Sequence, residues 1–312
     1  MKKAFKVFID GSAGTTGLKI YERLSEREDV SLITLSEEER KSDKSRSDAI
    51  NSSDVTFLCL PDDAARQAVS FVENPDTVII DASTVHRTEE GWLYGFPEVI
   101  DDFAEKVKVS KRICVPGCHA GGFIALIRPL VQNGVIGEEA ALCCTSVTGY
   151  SGGGKKMIAE YEAENRDKLL DFPRQYGLNQ THKHLKEMTK ICNLKNPPAF
   201  SPIVAPFYSG MEVTVPLFAK DLAFNSGKKD IEKIYSDLYT GKIVRYTDEN
   251  ENGFISAGAF SGKDFMRISV FGNDERILLC ARYDNLGKGA SGAAIECFNY
   301  VIGADPEKGL VL

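Results

Sequence analysis

The residue types best suited to covalent chemistry in this chain meet around Cys118. Arg112-Ile113-Cys114-Val115 reads as a short buried strand that Pro116-Gly117 ends, and Cys118-His119-Ala120-Gly121-Gly122 opens an apolar, helix-competent run through residue 131. A cysteine at a strand end and a helix start lies beside unpaired N–H groups and the positive end of the helix dipole, and both favour its thiolate. The small residues after it let a substrate come close to the backbone. Cys59, Cys114, Cys143, Cys144, Cys192, Cys280 and Cys297 read as inert structural thiols. Acyl transfer at a thiolate needs a proton carrier, and the chain holds four histidines: His86, His119, His182 and His184. Thr181-His182-Lys183-His184-Leu185-Lys186-Glu187-Met188 reads as a capped helix start. Two histidines two apart do not share a helical face, so at most one is expected to point at Cys118, leaving the other to bind substrate or stand in water. His119 adjoins the nucleophile, but neighbouring side chains diverge at a helix start.

A second constellation supplies a partner reaction. Phe5-Lys6-Val7-Phe8-Ile9 is an apolar strand that runs into Asp10-Gly11-Ser12-Ala13-Gly14-Thr15-Thr16-Gly17, followed by Leu18, Ile20, Tyr21 and Leu24 at helical spacing. Strand, glycine turn and helix start form the dinucleotide-binding arrangement, in which a pyrophosphate rests on the helix N-terminus. The glycine spacing is GxxGxxG, not GxGxxG, so its context carries more than its spelling. At the end of the next strand Ser36 is followed by Glu37 and then Arg40-Lys41, and these residues alone divide between NAD and NADP. Asp81-Ala82-Ser83-Thr84-Val85-His86-Arg87 follows a strand at the edge where open α/β sheets bind ligands; there Arg87 could clamp a phosphate or carboxylate with help from Ser83. Trp92-Leu93-Tyr94-Gly95-Phe96-Pro97-Glu98 reads as loop packing. Gly149-Tyr150-Ser151-Gly152-Gly153 spells the GxSxG of a nucleophile elbow, with Asp171 and His182 in hydrolase order. No oxyanion loop precedes it, and a hydrolase has no use for a dinucleotide turn. Ser151, Gly152 and the glycines before Lys155 suit a loop passing close to an anionic substrate.

These residues need a scaffold of alternating strands and helices. Residues 31–35 read as a second strand, 37–54 as a loop and a solvated helix, 55–60 as a buried strand, and 61–72 as a helix with its start. Residues 78–81 and 113–115 are further strands, which implies a parallel, doubly wound sheet of Rossmann type. From about residue 140 longer alternating strands, at 200–208, 212–218, 267–271 and 276–283, point to a mixed or antiparallel sheet and a second domain of α+β type. Helices are expected at 155–165, 182–192, 231–239 and 289–301.

The 312 residues, 43% hydrophobic and 27% charged, have the composition of a globular protein with ample core. A net charge of −7 with interspersed basic residues argues against nucleic acid as a partner. No run of about 18 apolar residues predicts a membrane span, and the chain enters a strand without an apolar signal segment. Eight cysteines without a regular framework fit reduced thiols in the cytoplasm. Without CxxC or HExxH, no metal is expected.

Taken together, the strings at residues 11–17, 59–65, 81–97, 116–122, 181–188 and 285–292 resemble N-acetyl-gamma-glutamyl-phosphate reductase in its short form, over nearly the whole chain. The resemblance implies a glyceraldehyde-3-phosphate dehydrogenase-like fold, with a dinucleotide domain at 1–117 plus 286–312 and a catalytic and dimerisation domain at 118–285. It implies NADP(H), an acyl phosphate substrate with phosphate released, a place in arginine biosynthesis, and a homodimer or homotetramer. The nucleophile falls on Cys118, and the HxH segment falls on His184 and His182, of which His184 is preferred as acid/base. Asn285 is expected near the nicotinamide, and Ser36, Arg40 and Lys41 match the short-form pattern, moving the cofactor toward NADP. Glu37-Glu38-Glu39 departs from it. The rivals are an aspartate-semialdehyde dehydrogenase-like enzyme, which shares the chemistry, and a dinucleotide sensor without turnover, for which Cys118 would have no purpose.

Overall fold

The computed structural model describes residues 4–223 and 226–312. The chain forms two compact units, one made of Met1–Pro116 with Ala290–Leu310 and the other of Gly117–Gly289 with Val311–Leu312. In chain order the first unit holds β1 (Phe5–Asp10), α1 (Thr15–Ser25), β2 (Val30–Ile33), α2 (Asp43–Ser52), β3 (Val55–Leu58), α3 (Asp62–Ser70), β4 (Val78–Asp81), β5 (Leu93–Tyr94), α4 (Phe103–Val109) and β6 (Arg112–Cys114). The second holds α5 (Cys118–Gln132), β7 (Cys143–Gly149), α6 (Gly154–Glu162), β8 (Arg174–Gln175), α7 (His184–Ile191), β9 (Ala199–Ala205), β10 (Met211–Phe218), α8 (Lys228–Leu238), β11 (Val244–Tyr246), β12 (Met266–Gly272) and β13 (Arg276–Tyr283). A π-type turn at Gly287–Ser291 then leads into α9 (Gly292–Val301), which belongs to the first unit.

In the first unit six strands run in the order β2-β1-β3-β4-β6-β5, every pair parallel. All four residues of β3 and of β4 are buried, as expected where helices cover both faces. α9 closes one of those faces: Ile295 and Phe298 are fully buried, and the Phe298 ring stands 5.8 Å from that of Phe57. The order turns back at β1, between β2 and β3, and the glycine turn follows β1 at that switch point. β2 pairs with β1 only as far as Phe8↔Ile33. The strand expected at residues 31–35 therefore ends early, and Ser36 lies beyond it.

The second unit carries a mixed sheet in the order β11-β12-β13-β10-β7-β9-β8, with β7–β9 and β11–β12 parallel and the other pairs antiparallel. Met211, Val213, Val215 and Leu217 alternate inward along β10, and α5 packs on that face. α5 is buried on nearly all sides, which its apolar composition requires. The opposite face is open enough to leave Phe218 53% and Leu278 41% exposed. The helix expected from residue 182 starts at His184, so His182 precedes it in a turn. That change matters at the site. Among the described residues no helix is long and apolar enough to cross a membrane.

Candidate active site

Cys118 is the first residue of α5, four positions beyond the end of β6, and is partly exposed. Three contacts define its surroundings in the second unit. The carboxylate of Glu187, buried on α7, accepts from the Gly117 N–H at 2.7 Å and so takes the place of a capping side chain. The Tyr283 hydroxyl accepts from the Gly122 N–H at 3.0 Å and donates to the Cys118 carbonyl at 2.5 Å, bridging the two groups of the first helical turn. A Cβ on Gly122 would stand 2.6 Å from that hydroxyl, so only glycine admits the bridge. The backbone at Gly289 passes the nucleophile so closely that a Cβ there would lie 3.2 Å from the Cys118 Cβ. Burial pushes the Cys59, Cys144 and Cys192 thiols well up, and Cys280 up to about 11, which suits inert core groups.

The histidines form a cluster beside this helix start. The His119 ring stands 5.8 Å from that of His182 and 5.7 Å from that of His184, and those two are 4.7 Å apart. The expectation that residues 182 and 184 diverge assumed that both lie on the helix. Because His182 precedes α7, its Nδ1 can accept from the His184 N–H at 3.2 Å, and both rings share one site. Burial first, and Lys183 second, hold His182 below the ordinary histidine range. His119 is 3% exposed, and burial pushes it down to about 3, with the His182 charge adding to the effect. Its Nδ1 meets Ser146 Oγ at 2.7 Å and its Nε2 meets the Tyr176 hydroxyl at 2.7 Å. With both nitrogens engaged, His119 is a fixed neutral element and not a proton carrier.

Ser151 lies in a 3-10 turn between β7 and α6 and is 1% exposed. Its hydroxyl accepts from Asn285 Nδ2 at 3.0 Å, while Asn285 Oδ1 accepts from the Gly210 N–H at 2.9 Å. Asn285 thus ties two loops together, and Gly152 lies beside it, a Cβ there being 3.5 Å from Asn285 Nδ2. Asp171 pairs with Arg166 at 2.5 Å. The GxSxG string therefore holds no hydrolase triad.

In the first unit the glycine turn makes a cradle. Gly11 has φ of 88°, and a Cβ on it would strike the Cys59 carbonyl at 2.3 Å; one on Gly17 would strike the Gly11 carbonyl at 2.3 Å. The Gly14 N–H donates to the Gly11 carbonyl at 2.9 Å, closing the turn, and Thr15, Thr16 and Gly17 form the start of α1. Among the described residues no side chain caps that helix, so its end suits an anion. Gly11, Ser12 and Ala13 line a cleft of about 400 Å³ together with Leu32, Leu35 and Arg40. Asp10 also faces it, paired with Arg46 at 2.9 Å; burial raises the Asp10 carboxyl, and Arg46 opposes the rise. Arg40 Nε donates to the Leu35 carbonyl at 3.0 Å. Ser36 and Glu39 instead bond each other across a short turn, and Lys41 pairs with Glu37 at 3.3 Å on the surface.

The loop after β4 is buried. The fully buried Asp81 carboxylate accepts from the Ser83 N–H and hydroxyl at 2.8 and 2.6 Å and meets His86 Nδ1 at 2.6 Å. Trp92 stacks on His86 with centroids 4.0 Å apart. Arg87, 8% exposed, donates from Nε to the Val115 carbonyl and from Nη2 to the Ala82 carbonyl. Ser83 thus spends its donors on Asp81, and Arg87 spends these two on the loop and on the residue after β6.

Ser146, Tyr176 and Glu187 were not singled out from the sequence. Glu187 had a usable signal, being three residues after His184 and so on the same face of α7. Ser146 and Tyr176 had none, since one lies on β7 and the other just past β8, both far from Cys118 in sequence.

Comparison with known proteins follows the same division. Residues 6–107 match the semialdehyde dehydrogenase NAD binding domain, and residues 118–285 match the semialdehyde dehydrogenase dimerisation domain. The chain is 42% identical to N-acetyl-gamma-glutamyl-phosphate reductase 2 of Nostoc sp., covering 98% of this chain and 99% of the relative. It is 41% identical to N-acetyl-gamma-glutamyl-phosphate reductase of Chelativorans sp., over 93% of this chain and 96% of the relative. Among solved structures, aspartate semialdehyde dehydrogenase II of Vibrio cholerae shares the fold with a TM-score of 0.74 at 17% identity, covering 97% of this chain and 99% of that one.

Proposed function

The chain belongs to the semialdehyde dehydrogenase family and, within it, to the N-acetyl-gamma-glutamyl-phosphate reductases, and on that premise we propose NADPH-dependent reductive dephosphorylation of N-acetyl-glutamyl 5-phosphate to N-acetyl-glutamate 5-semialdehyde, a step of arginine biosynthesis. The observation that carries the residue assignment is Cys118 at the start of α5 with three histidine rings packed beside that start. The Cys118 thiolate attacks the acyl carbon, the bond to phosphate breaks, phosphate leaves, and a thioester remains. The nicotinamide, when bound, supplies the hydride that converts the thioester to a thiohemiacetal. His184 acts as acid/base, with His182 binding substrate; the C–S bond then breaks, releasing the aldehyde and restoring the thiolate. The alternative order of the two histidines keeps the same bonds.

The glycine turn at residues 11–17 is suited to the pyrophosphate, since it admits no side chain at Gly11 or Gly17 and leaves the α1 N-terminus uncapped. NADP over NAD is supported by Arg40, a cation that lines the same cleft, with Ser36 and Lys41 near it in sequence. Asn285 is the residue assigned to the nicotinamide end, and Ser83, Arg87, Ser151 and Gly152 to substrate. For Arg87 and Ser83 this requires donors beyond those the loop uses. A homodimer or homotetramer is supported by the match to a dimerisation domain and by the open face of the mixed sheet. Eight free thiols support a cytoplasmic setting.

The test is a steady-state assay in the oxidative direction, offering N-acetylglutamate semialdehyde or aspartate semialdehyde with NADP or NAD and phosphate. The expected result is turnover of the acetylated aldehyde with NADP, abolished in Cys118→Ser while NADPH binding persists. A preference for aspartate semialdehyde would overturn the substrate, and a tenth or more of wild-type turnover in the serine variant would overturn the nucleophile.

A further inference from the structure

Beside Cys118 a line of three polar side chains has one hydrogen too many for the partners that the described residues provide. Ser146 is 0% exposed, and among the described residues its hydroxyl has one partner, His119 Nδ1 at 2.7 Å. Were Ser146 the acceptor there, its own hydrogen would be buried and unpaired, which is unfavourable. Ser146 therefore donates to Nδ1. His119 is neutral, because burial holds it down to about 3, so its single ring proton sits on Nε2. Nε2–H then donates to the Tyr176 oxygen, again at 2.7 Å. The direction of the whole line is thereby set. The phenolic hydrogen of Tyr176 cannot point at His119, and among the described residues its hydroxyl has no second partner.

Tyr176 lies where such a donor is useful. Its ring is 5.9 Å from that of His182 and 6.1 Å from that of His119, the residue next to the nucleophile. Burial raises its hydroxyl well above the ordinary phenol range, and the charge of Cys118 raises it further. The group thus stays protonated at working pH and senses the sulfur. The substrate atom closest to that sulfur that needs a donor is the acyl oxygen, which becomes an alkoxide each time the carbon turns tetrahedral.

We propose that Tyr176 is a catalytic residue whose hydroxyl donates a hydrogen bond to the acyl oxygen of the Cys118-bound substrate, with Ser146 and His119 as positioning residues that aim that hydrogen. No proton is transferred in this role; the phenol stabilises the alkoxide formed on attack by sulfur or hydride. The inference rests on the thioester reading above.

Tyr176→Phe keeps the ring and removes the donor. It should lower kcat by about a hundredfold, the usual loss for one oxyanion donor, with KM within about threefold and the rate of Cys118 alkylation unchanged. Ser146→Ala should lower kcat about tenfold, and Ser146→Thr, which restores a hydroxyl, should recover most of it; a merely structural role would not give that split. Independently, ¹⁵N NMR of His119 in the wild-type protein should show the Nε2–H tautomer. If the wild type turns over neither aldehyde, the functional reading falls and the donor assignment with it. If the wild type is active and Tyr176→Phe keeps more than about a fifth of kcat, the donor assignment alone falls. An Nδ1–H tautomer would reverse the line and overturn the aiming role of Ser146 and His119.

Discussion

Acid should unfold the second unit through one side chain. His119 titrates near 6.5 in an unfolded chain and is pushed down to about 3 by burial in the fold. Above pH 6.5 neither state carries the proton, and His119 makes no pH-dependent difference. Below it the unfolded chain takes up a proton that the folded chain refuses, so stability falls with pH until the folded ring also titrates near 3. One proton costs about 1.4 kcal/mol per pH unit, or roughly 5 kcal/mol over the whole interval, comparable with the entire stability of many domains. The comparison is wild type against His119→Gln, which cannot titrate. His182 is also depressed, but its causes are burial and Lys183, so its contribution cancels in the difference. Native-state hydrogen exchange on peptides from α5 and β7, corrected for intrinsic rates, reads the relevant unit. The single tryptophan, Trp92, lies in the first unit and serves as an internal control. The wild type should lose about 1.4 kcal/mol per pH unit more than the variant between about pH 6 and 4. A slope difference under about a third of a proton would refute the burial argument.

Gly17→Ala would drive a Cβ to 2.3 Å from the Gly11 carbonyl; isothermal titration should show NADPH affinity lowered at least tenfold, the second unit remaining folded by hydrogen exchange. Asn285→Ala strands the Gly210 N–H and should lower the stability of the second unit by about 1–3 kcal/mol, measured by the same exchange experiment, in addition to any effect on turnover. His184→Asn should lower kcat by about a hundredfold, whereas His182→Asn should act mainly on KM. A kcat loss confined to the His182 variant would exchange the two roles.

What sequence could and could not show follows from the range of the interactions. The strand–glycine turn–helix at residues 5–25 and the cysteine at a helix start are local patterns, and both elements form where expected. Periodicity also separates the parallel first sheet from the mixed second one. Element ends were less legible, because partners set them: β2 stops at Ile33 where its pairing with β1 stops. The starting point of α7 mattered more, since a shift from residue 182 to His184 turns two diverging histidines into one cluster. The line from Ser146 through His119 to Tyr176 joins β7, α5 and the residue just past β8, and no spacing rule connects them. Likewise Arg87 reads from sequence as a clamp for a phosphate or carboxylate beside a ligand edge, yet carbonyls of Ala82 and Val115 already occupy two of its donors.

The return of α9 to the first unit bears on how a nascent chain acquires its shape. When the first 116 residues have left the ribosome, the strands β1, β3 and β4 are complete, but Ile295 and Phe298 that cover them have not been made. The face around Phe57 lacks this cover until residues 292–301 have been made. Residues 117–289 form an almost contiguous block, so the second unit can finish folding before the first receives its last helix. An exposed parallel sheet waiting for its last helix is a substrate for chaperones, and a chain truncated before α9 would present the same surface permanently.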